Sequence, residues 1–297
     1  MTADLAGRTL GFVGLGNMGT PMAARLADAG ATVRAFDAAP GAREAFGAEV
    51  TTATVVGSAA EAARGAEAVL LCLPNSDVVE AVVDGGLLDA LEPGTVLVDM
   101  SSSEPVRTRA LAERAAAAGH TLVDAPVSGG VSGARAGTLA VMVGGPDDAV
   151  AALGPALAAI GHPRHVGPTG AGHALKALNN LMSAAHLLAS SEALLAGQAF
   201  GLDPEVMLDV VNASSGRSGS TEVKWPRHVL PGTFASGFGL GLMVKDIRIA
   251  RDLVVSTGTP SRHTASTVAL WAEAQDDLPP DADHTDIVRW LQGKDAR

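Results

Sequence analysis

The sequence predicts an α/β fold with a doubly wound parallel sheet in its first half and an all-α domain in its second, reached through one long helix. Three observations carry this. Strand-like and helix-like segments alternate from Thr9 to Val143, as in a parallel sheet with crossover helices. A glycine-rich turn, Gly14-Leu15-Gly16-Asn17-Met18-Gly19, joins the first strand to the first helix. After Gly172 the alternation stops, and about thirty residues run without proline. A chain of 297 residues supports two cores, and the boundary falls near Gly167 to Gly170, giving domains 1–168 and 169–297.

The strands are read at Thr9–Val13, Thr32–Phe36, Ala68–Leu73, Thr95–Asp99, Thr121–Asp124 and Leu139–Val143, short apolar runs of the kind buried on both faces of a sheet. Ala-rich amphipathic stretches lie between them, including Met18–Ala29 and Glu104–Ala118, the latter with Ser103 as its expected N-cap. The segment Ala171–Phe200 is a helix of roughly 45 Å at 1.5 Å per residue. Its leucines and alanines fall on nearly every face, so it is expected to be buried and to connect the domains. Further helices are expected at Pro204–Val211, Leu242–Val255 and Ser261–Ala274.

Composition narrows the function classes. A net charge of −11, from 32 acids against 21 Lys and Arg, opposes binding to nucleic acid and offers no basic anchor for a membrane. No apolar run has the length of a bilayer span, and Met1–Arg8 lacks an apolar signal core, so a soluble cytoplasmic protein is expected. The one cysteine, Cys72, lies in a strand pattern and reads as a small buried hydrophobe. The eight histidines show no zinc-ligand spacing; His162 and His165 flank Pro163 in an expected loop, and no metal is called for. There is no GxSxG motif of a hydrolase.

The turn from Gly14 to Gly19 has the context that a dinucleotide fingerprint needs, a strand before it and a helix after it. Gly14 and Gly16 permit a tight turn and close backbone approach to a pyrophosphate, which the helix N-terminus then attracts, and Gly19 permits close packing of helix on strand. Asp37 follows the second strand, eighteen residues after Gly19, where a carboxylate accepts hydrogen bonds from adenosine ribose hydroxyls and repels a 2′-phosphate. NAD is therefore expected over NADP, with Arg34 and Arg43 as nearby cations that soften the preference. Leu73, Pro74 and Ser102 lie at the C-terminal ends of further strands and are candidate nicotinamide-side contacts.

Two more motifs suggest chemistry. Asp124-Ala125-Pro126-Val127-Ser128-Gly129-Gly130 ends a strand and cannot form regular helix; its Gly129 and Gly130 amides with the Ser128 hydroxyl make a nest suited to a carboxylate, against the plainer alternative of a flexible turn. Gly170-Ala171-Gly172 leads into Lys176-Ala177-Leu178-Asn179-Asn180, which puts Lys176 and Asn180 on one helical face. Most helical lysines snorkel to solvent. One flanked by Leu175 and Leu178, with an amide one turn on, is a candidate for proton transfer.

These residues together resemble the β-hydroxyacid dehydrogenase family, which includes 3-hydroxyisobutyrate dehydrogenases and the tartronate, glyoxylate and succinic semialdehyde reductases. The likeness rests on Gly11–Gly19, Asp124–Gly130, Gly170–Asn180 and Leu242–Asp246, in order, and covers nearly the whole chain. It implies that Lys176 is the catalytic lysine, Asn180 its substrate-positioning neighbour, Ser128, Gly129 and Gly130 the substrate carboxylate site, and Lys245 a contact to cofactor and substrate supported by Asp246. It also implies a homodimer or homotetramer. Asn212–Arg217 is similar to 3-hydroxyisobutyrate dehydrogenases, whereas Ser218–Thr221 and Lys224–Pro226 depart from them. The expected activity is interconversion of a small β-hydroxycarboxylic acid and its semialdehyde. The alternatives are a semialdehyde reductase, a dehydrogenase for a larger or phosphorylated acid, with Arg217 and Lys224 as the candidate cations for a phosphate, and a non-catalytic NAD-binding regulator.

Overall fold

The apolar runs of the first half form the central strands of one sheet. In the computed structural model, which describes residues 4–294, the strands are β1 (Thr9–Val13), β2 (Thr32–Phe36), β3 (Thr54–Val55), β4 (Ala68–Leu71), β5 (Val96–Asp99), β6 (Thr121–Asp124), β7 (Val127–Ser128), β8 (Leu139–Gly144) and β9 (Gly161–Gly167). The expectation of no apolar signal core concerned Met1–Arg8, of which the first three residues lie outside the described part. Helices α1 (Gly19–Asp28), α2 (Pro40–Glu49), α3 (Ala59–Ala63), α4 (Ser76–Val82), α5 (Leu88–Ala90), α6 (Pro105–Ala117), α7 (Gly130–Ala136) and α8 (Asp147–Ile160) alternate with them.

The strand order is β3-β2-β1-β4-β5-β6-β8-β7, with β9 on β8. From β3 to β6 all pairs are parallel, whereas β8 runs antiparallel to β6 and β7 and parallel to β9. The sheet is thus mostly parallel, with a reversal at one side. Strands β3, β7 and β9 escape the sequence pattern because β3 and β7 are two residues each and β9, Gly-His-Pro-Arg-His-Val-Gly, has no apolar run. Consequently His162 and His165 stand on a strand and not in the loop expected of them, and Pro163 is tolerated because β9 pairs on one side.

Successive strand residues face opposite sides, and the packing follows. Leu10, Phe12, Leu70, Val98 and Val123 pack with Met22 and Leu26 of α1 on one face. Val13, Val69, Leu71, Leu97 and Leu122 pack with Leu111 and Ala115 of α6 on the other.

The chain divides after Lys176 into two compact units. The helix α9 (Ala171–Phe200) runs through that division and is followed by α10 (Pro204–Asn212), a π-helix at Ser220–Val229, α11 (Leu240–Ser256), α12 (Arg262–Asp277), a 3-10 turn at His284–Asp286 and α13 (Ile287–Lys294). The second unit has its own core of Leu187, Trp225, Met243, Ile247, Trp271 and Ile287. Trp225 donates from Nε1 to Ser191 Oγ at 3.1 Å, which satisfies its one polar atom inside that core. The expectation that α9 is buried all round is corrected: Leu175, Met182 and Phe200 are 39, 51 and 86% exposed, so the helix presents an apolar side to solvent in the single chain. Among the described residues no helix is long and apolar enough to cross a membrane.

Candidate active site

In the first unit the candidate residues lie along one edge because the register aligns them. Phe36, Val13, Leu71, Asp99 and Asp124 are successive cross-strand partners from β2 to β6. The residues after this row therefore emerge together at the C-terminal edge, where open α/β sheets bind ligands, and the order reverses between β1 and β4.

Each glycine of the fingerprint has a distinct reason to lack a side chain. Gly14 has φ +102°, and a Cβ there would lie 2.2 Å from the Cys72 carbonyl oxygen. A Cβ on Gly19 would lie 1.8 Å from the Gly14 carbonyl oxygen, so the helix start packs directly on the turn. At Gly16 a Cβ would meet nothing within 4 Å, so its bare backbone faces open space. This is the face a pyrophosphate needs, with Leu15 buried beneath and Gly16 and Asn17 exposed. Met18, half-buried, holds the N-cap position of α1 and packs against the sheet core. The residues present fit a dinucleotide.

Asp37 does more than the sequence revealed. Its Oδ2 accepts from the Leu15 amide at 2.7 Å and its Oδ1 from the Ala39 amide at 2.8 Å. The carboxylate thus anchors the glycine turn while keeping lone pairs for a ribose. Arg43 donates to the Asp37 carbonyl at 2.5 Å and Arg34 to the Glu61 carbonyl at 3.0 Å, so both cations are tied to backbone.

At the ends of β4 and β5, the Leu73 amide donates to Ser101 Oγ at 2.9 Å, leaving Leu73 and Ser102 half-buried and Pro74 exposed at the edge. Ser103 does not cap α6. Its hydroxyl donates to Asp99 Oδ2 at 2.7 Å, the N-cap position belongs to Glu104, and the Glu104 amide is satisfied by Ser76 Oγ at 2.9 Å. The buried acid at the strand end outcompetes the helix terminus for the hydroxyl. Burial, reinforced by the Asp99 charge, pushes the half-buried Cys72 thiol up to about 12, which favours the protonated form near neutrality.

Ser128 ends β7, and Gly129 and Gly130 follow with φ of +134° and +66°, values that favour glycine. Both glycines are exposed, and a Cβ on Gly130 would meet nothing within 4 Å. The turn presents backbone to solvent where the carboxylate was expected.

The approach to Lys176 is fixed by a buried polar cluster. Asp124, fully buried, accepts from the Gly170 amide at 2.6 Å and the His173 amide at 2.8 Å, capping α9 from a neighbouring strand. Burial raises the Asp124 carboxyl, opposed by His173 and by these amides. Gly172 lets the helix approach this close, since a Cβ there would lie 2.2 Å from the Met142 carbonyl oxygen. The His173 ring spans Ser101 O at 3.0 Å from Nε2 and Thr108 Oγ1 at 2.8 Å from Nδ1. A carbonyl only accepts, so Nε2 carries the proton. Lys176, one turn on, is buried at 8% exposure.

In the second unit, Asn180 is buried and donates from Nδ2 to Asp246 Oδ2 at 2.6 Å, while Lys245 Nζ lies 3.5 Å from Asp246 Oδ1. One buried carboxylate thereby orients both the amide and the ammonium. Lys224 donates to Ser183 Oγ at 2.7 Å. Arg217 is 63% exposed and 3.7 Å from Glu222. The side-chain roles of Asp99, Asp124 and Ser183 were not read from the sequence. The repeated apolar-apolar-Asp ending of β5 and β6 is the signal that marks the two acids.

Comparison with known proteins agrees with this architecture. Residues 9–170 match the family described as the NAD binding domain of 6-phosphogluconate dehydrogenase, and residues 170–291 match the NAD-binding region of NADP-dependent 3-hydroxyisobutyrate dehydrogenase. The 2-(hydroxymethyl)glutarate dehydrogenase of Eubacterium barkeri is 40% identical over 272 residues, covering 88% of this chain and 87% of the relative. The 3-hydroxyisobutyrate dehydrogenase of Pseudomonas aeruginosa is 39% identical over 299 residues, covering 96% and 99%. Among solved structures, the 3-hydroxyisobutyrate dehydrogenase of Mycobacterium tuberculosis with L-serine superposes with a TM-score of 0.90 at 34% identity, covering 96% of this chain and 99% of that one. With both halves and nearly the full length matched, the chain belongs to the β-hydroxyacid dehydrogenase family of NAD(P)-dependent oxidoreductases.

Proposed function

We propose that this protein interconverts a small β-hydroxycarboxylic acid and its semialdehyde, with Lys176 as the proton-transfer group and NAD as the preferred cofactor. The observation that carries the reading is the burial of Lys176 at the start of α9, in the same compact unit as the fingerprint turn and the Ser128–Gly130 turn. A dinucleotide would be held by Gly14, Leu15, Gly16, Asn17, Met18 and Gly19, by Asp37 at its ribose, and by Leu73, Pro74, Ser102 and Lys245 toward its nicotinamide. When bound, that group takes the hydride from the carbinol carbon. Lys176, as the amine, accepts the hydroxyl proton, and as ammonium returns it to the alkoxide in the reverse direction. Ser128, Gly129 and Gly130 fix the carboxylate, and Asn180, oriented by Asp246, positions the hydroxyl.

Residues 1–168 form the cofactor domain in this reading, and 169–297 the domain that carries the catalytic helix. Cytoplasmic function as a homodimer or homotetramer accompanies it. The apolar side of α9 together with exposed Leu202, Val206 and Val210 supports self-association, which sedimentation would measure.

The test is single-turnover NADH formation across short β-hydroxy acids with wild type, Lys176→Ala and Lys176→Arg. Loss of Lys176 should slow hydride transfer by about 10²- to 10⁴-fold with NADH affinity retained. Arginine should not rescue it, because guanidinium keeps its proton. Rates in Lys176→Ala within a few-fold of wild type would leave the lysine structural.

A further inference from the structure

Polar residues recur on α9 at Lys176, Asn180 and Ser183, the i, i+4, i+7 spacing of one helical face. Ser183 does not end in solvent. It accepts from Lys224 Nζ at 2.7 Å, and Lys224 comes from the π-helix Ser220–Val229, in the segment that departs from 3-hydroxyisobutyrate dehydrogenases. An ammonium has three donors. Among the described residues Lys224 makes this one hydrogen bond and no ion pair.

The surroundings offset its charge only in part, through the neighbouring Asp283 carboxylate. The nearby acid, Asp283, already accepts from Ser236 Oγ, Gly237 N, Thr285 N and Thr285 Oγ1. Burial, with the Lys224 charge as a further contribution, holds the His284 imidazole below its usual value, and burial brings Lys224 itself to about 8. A lysine that only fills space buries its stem and keeps its head in water. Here the head is largely withdrawn from water, is held by a single hydroxyl and has donors to spare.

We propose that Lys224, held on Ser183, is a specificity residue that binds the second carboxylate of a β-hydroxy dicarboxylic acid. The proposal rests on the function assigned above. Among substrates named for the relatives, 3-hydroxyisobutyrate and 2-(hydroxymethyl)glutarate share the reacting unit, a hydroxymethyl group and a carboxylate on one carbon. They differ only in the third substituent, methyl in the first and a two-carbon arm ending in carboxylate in the second. The shared unit is the part that Lys176, on the same face of α9 as Ser183, would handle. The arm is the part that needs a further cation, and Ser183 lies three residues, roughly 4.5 Å of helix rise, beyond Asn180.

The experiment compares kcat/KM with NAD for 2-(hydroxymethyl)glutarate, its distal carboxamide and 3-hydroxyisobutyrate, in wild type and Lys224→Met. Calorimetric binding of glutarate to the NADH complex gives a readout independent of turnover. Wild type should prefer the diacid over the carboxamide by about tenfold or more, the effect expected of a hydrogen bond to a charged group. Lys224→Met should collapse that ratio, through KM, and weaken glutarate to a similar degree, while Lys224→Arg should retain part of both. Equal efficiency of wild type on diacid and carboxamide overturns the assignment without any variant, as does an unchanged ratio in a folded Lys224→Met. Turnover of 3-hydroxyisobutyrate without diacid preference sinks Lys224 alone. No turnover of any acid by NADH-binding wild type sinks the underlying function and the proposal with it.

Discussion

Gly16 and Gly19 belong to one turn, yet adding a methyl group to each should do opposite things. At Gly19 the new Cβ would sit 1.8 Å from the Gly14 carbonyl oxygen, 1.2 Å inside the 3.0 Å approach that Cβ atoms do not cross. The obstacle is backbone, fixed in turn by the Gly14 amide bond to Phe36 O at 2.8 Å and by the Leu15 amide bond to Asp37. Helix α1 must therefore shift against a close-packed face that holds Met22 and Leu26, at a cost of about 1–3 kcal/mol. For a unit of this size that lowers Tm by roughly 5 °C. Gly16→Ala meets nothing within 4 Å, so its Tm should equal or slightly exceed that of wild type. Its methyl nevertheless occupies the face where the pyrophosphate would approach, and NADH affinity should fall by about tenfold or more, near 1.4 kcal/mol. Calorimetry of NADH binding and thermal unfolding on both variants separate the effects. Wild-type NADH affinity in Gly16→Ala would refute the placement of the pyrophosphate, and an unchanged Tm in Gly19→Ala would refute the packing argument.

NAD should exceed NADP in kcat/KM by roughly thirtyfold, from about 2 kcal/mol of like-charge repulsion at Asp37; equal efficiency with the two cofactors would show that the Arg43 guanidinium beside it governs the site. Asp37→Ala should lower Tm as well as NAD affinity, because the Leu15 and Ala39 amides both lose their acceptor. Asp124→Ala strands two buried amides at the start of α9 and should cost about 2–5 kcal/mol, read by urea unfolding. Lys224 is brought from 10.5 to about 8 on folding, so the unfolded chain binds more protons between those values and stability rises with pH across that window. Lys224→Met should therefore be the more stable protein at pH 7, by at most about 3 kcal/mol, with the difference closing toward pH 10.5; a constant difference from pH 7 to 10.5 would show that the buried charge costs nothing.

Local features were legible where one residue type has one physical reason to be there. The fingerprint turn could be read because only glycine tolerates the approaches at 14 and 19, and the strands because a parallel sheet buries both faces of short apolar runs. Strand β9 was not legible, since an edge strand paired on one side needs no apolar pattern and can hold Pro163 and two histidines. Ser103 departs from the cap expected of it because capping is a local preference, while the acceptor that takes its hydroxyl, Asp99, is itself buried at 1% exposure and must be satisfied first. The same rule governs the site. An unpaired buried carboxylate is costly, so the sheet's two terminal acids are met by polar groups from Ser101, Ser103, Gly170 and His173. Asp124 draws the first turn of α9 onto the strand edge, and the His173 ring ties that turn to Ser101 and Thr108. A helix held at its first turn on three sides delivers the next turn in a fixed orientation, and the residue found there, buried, is Lys176.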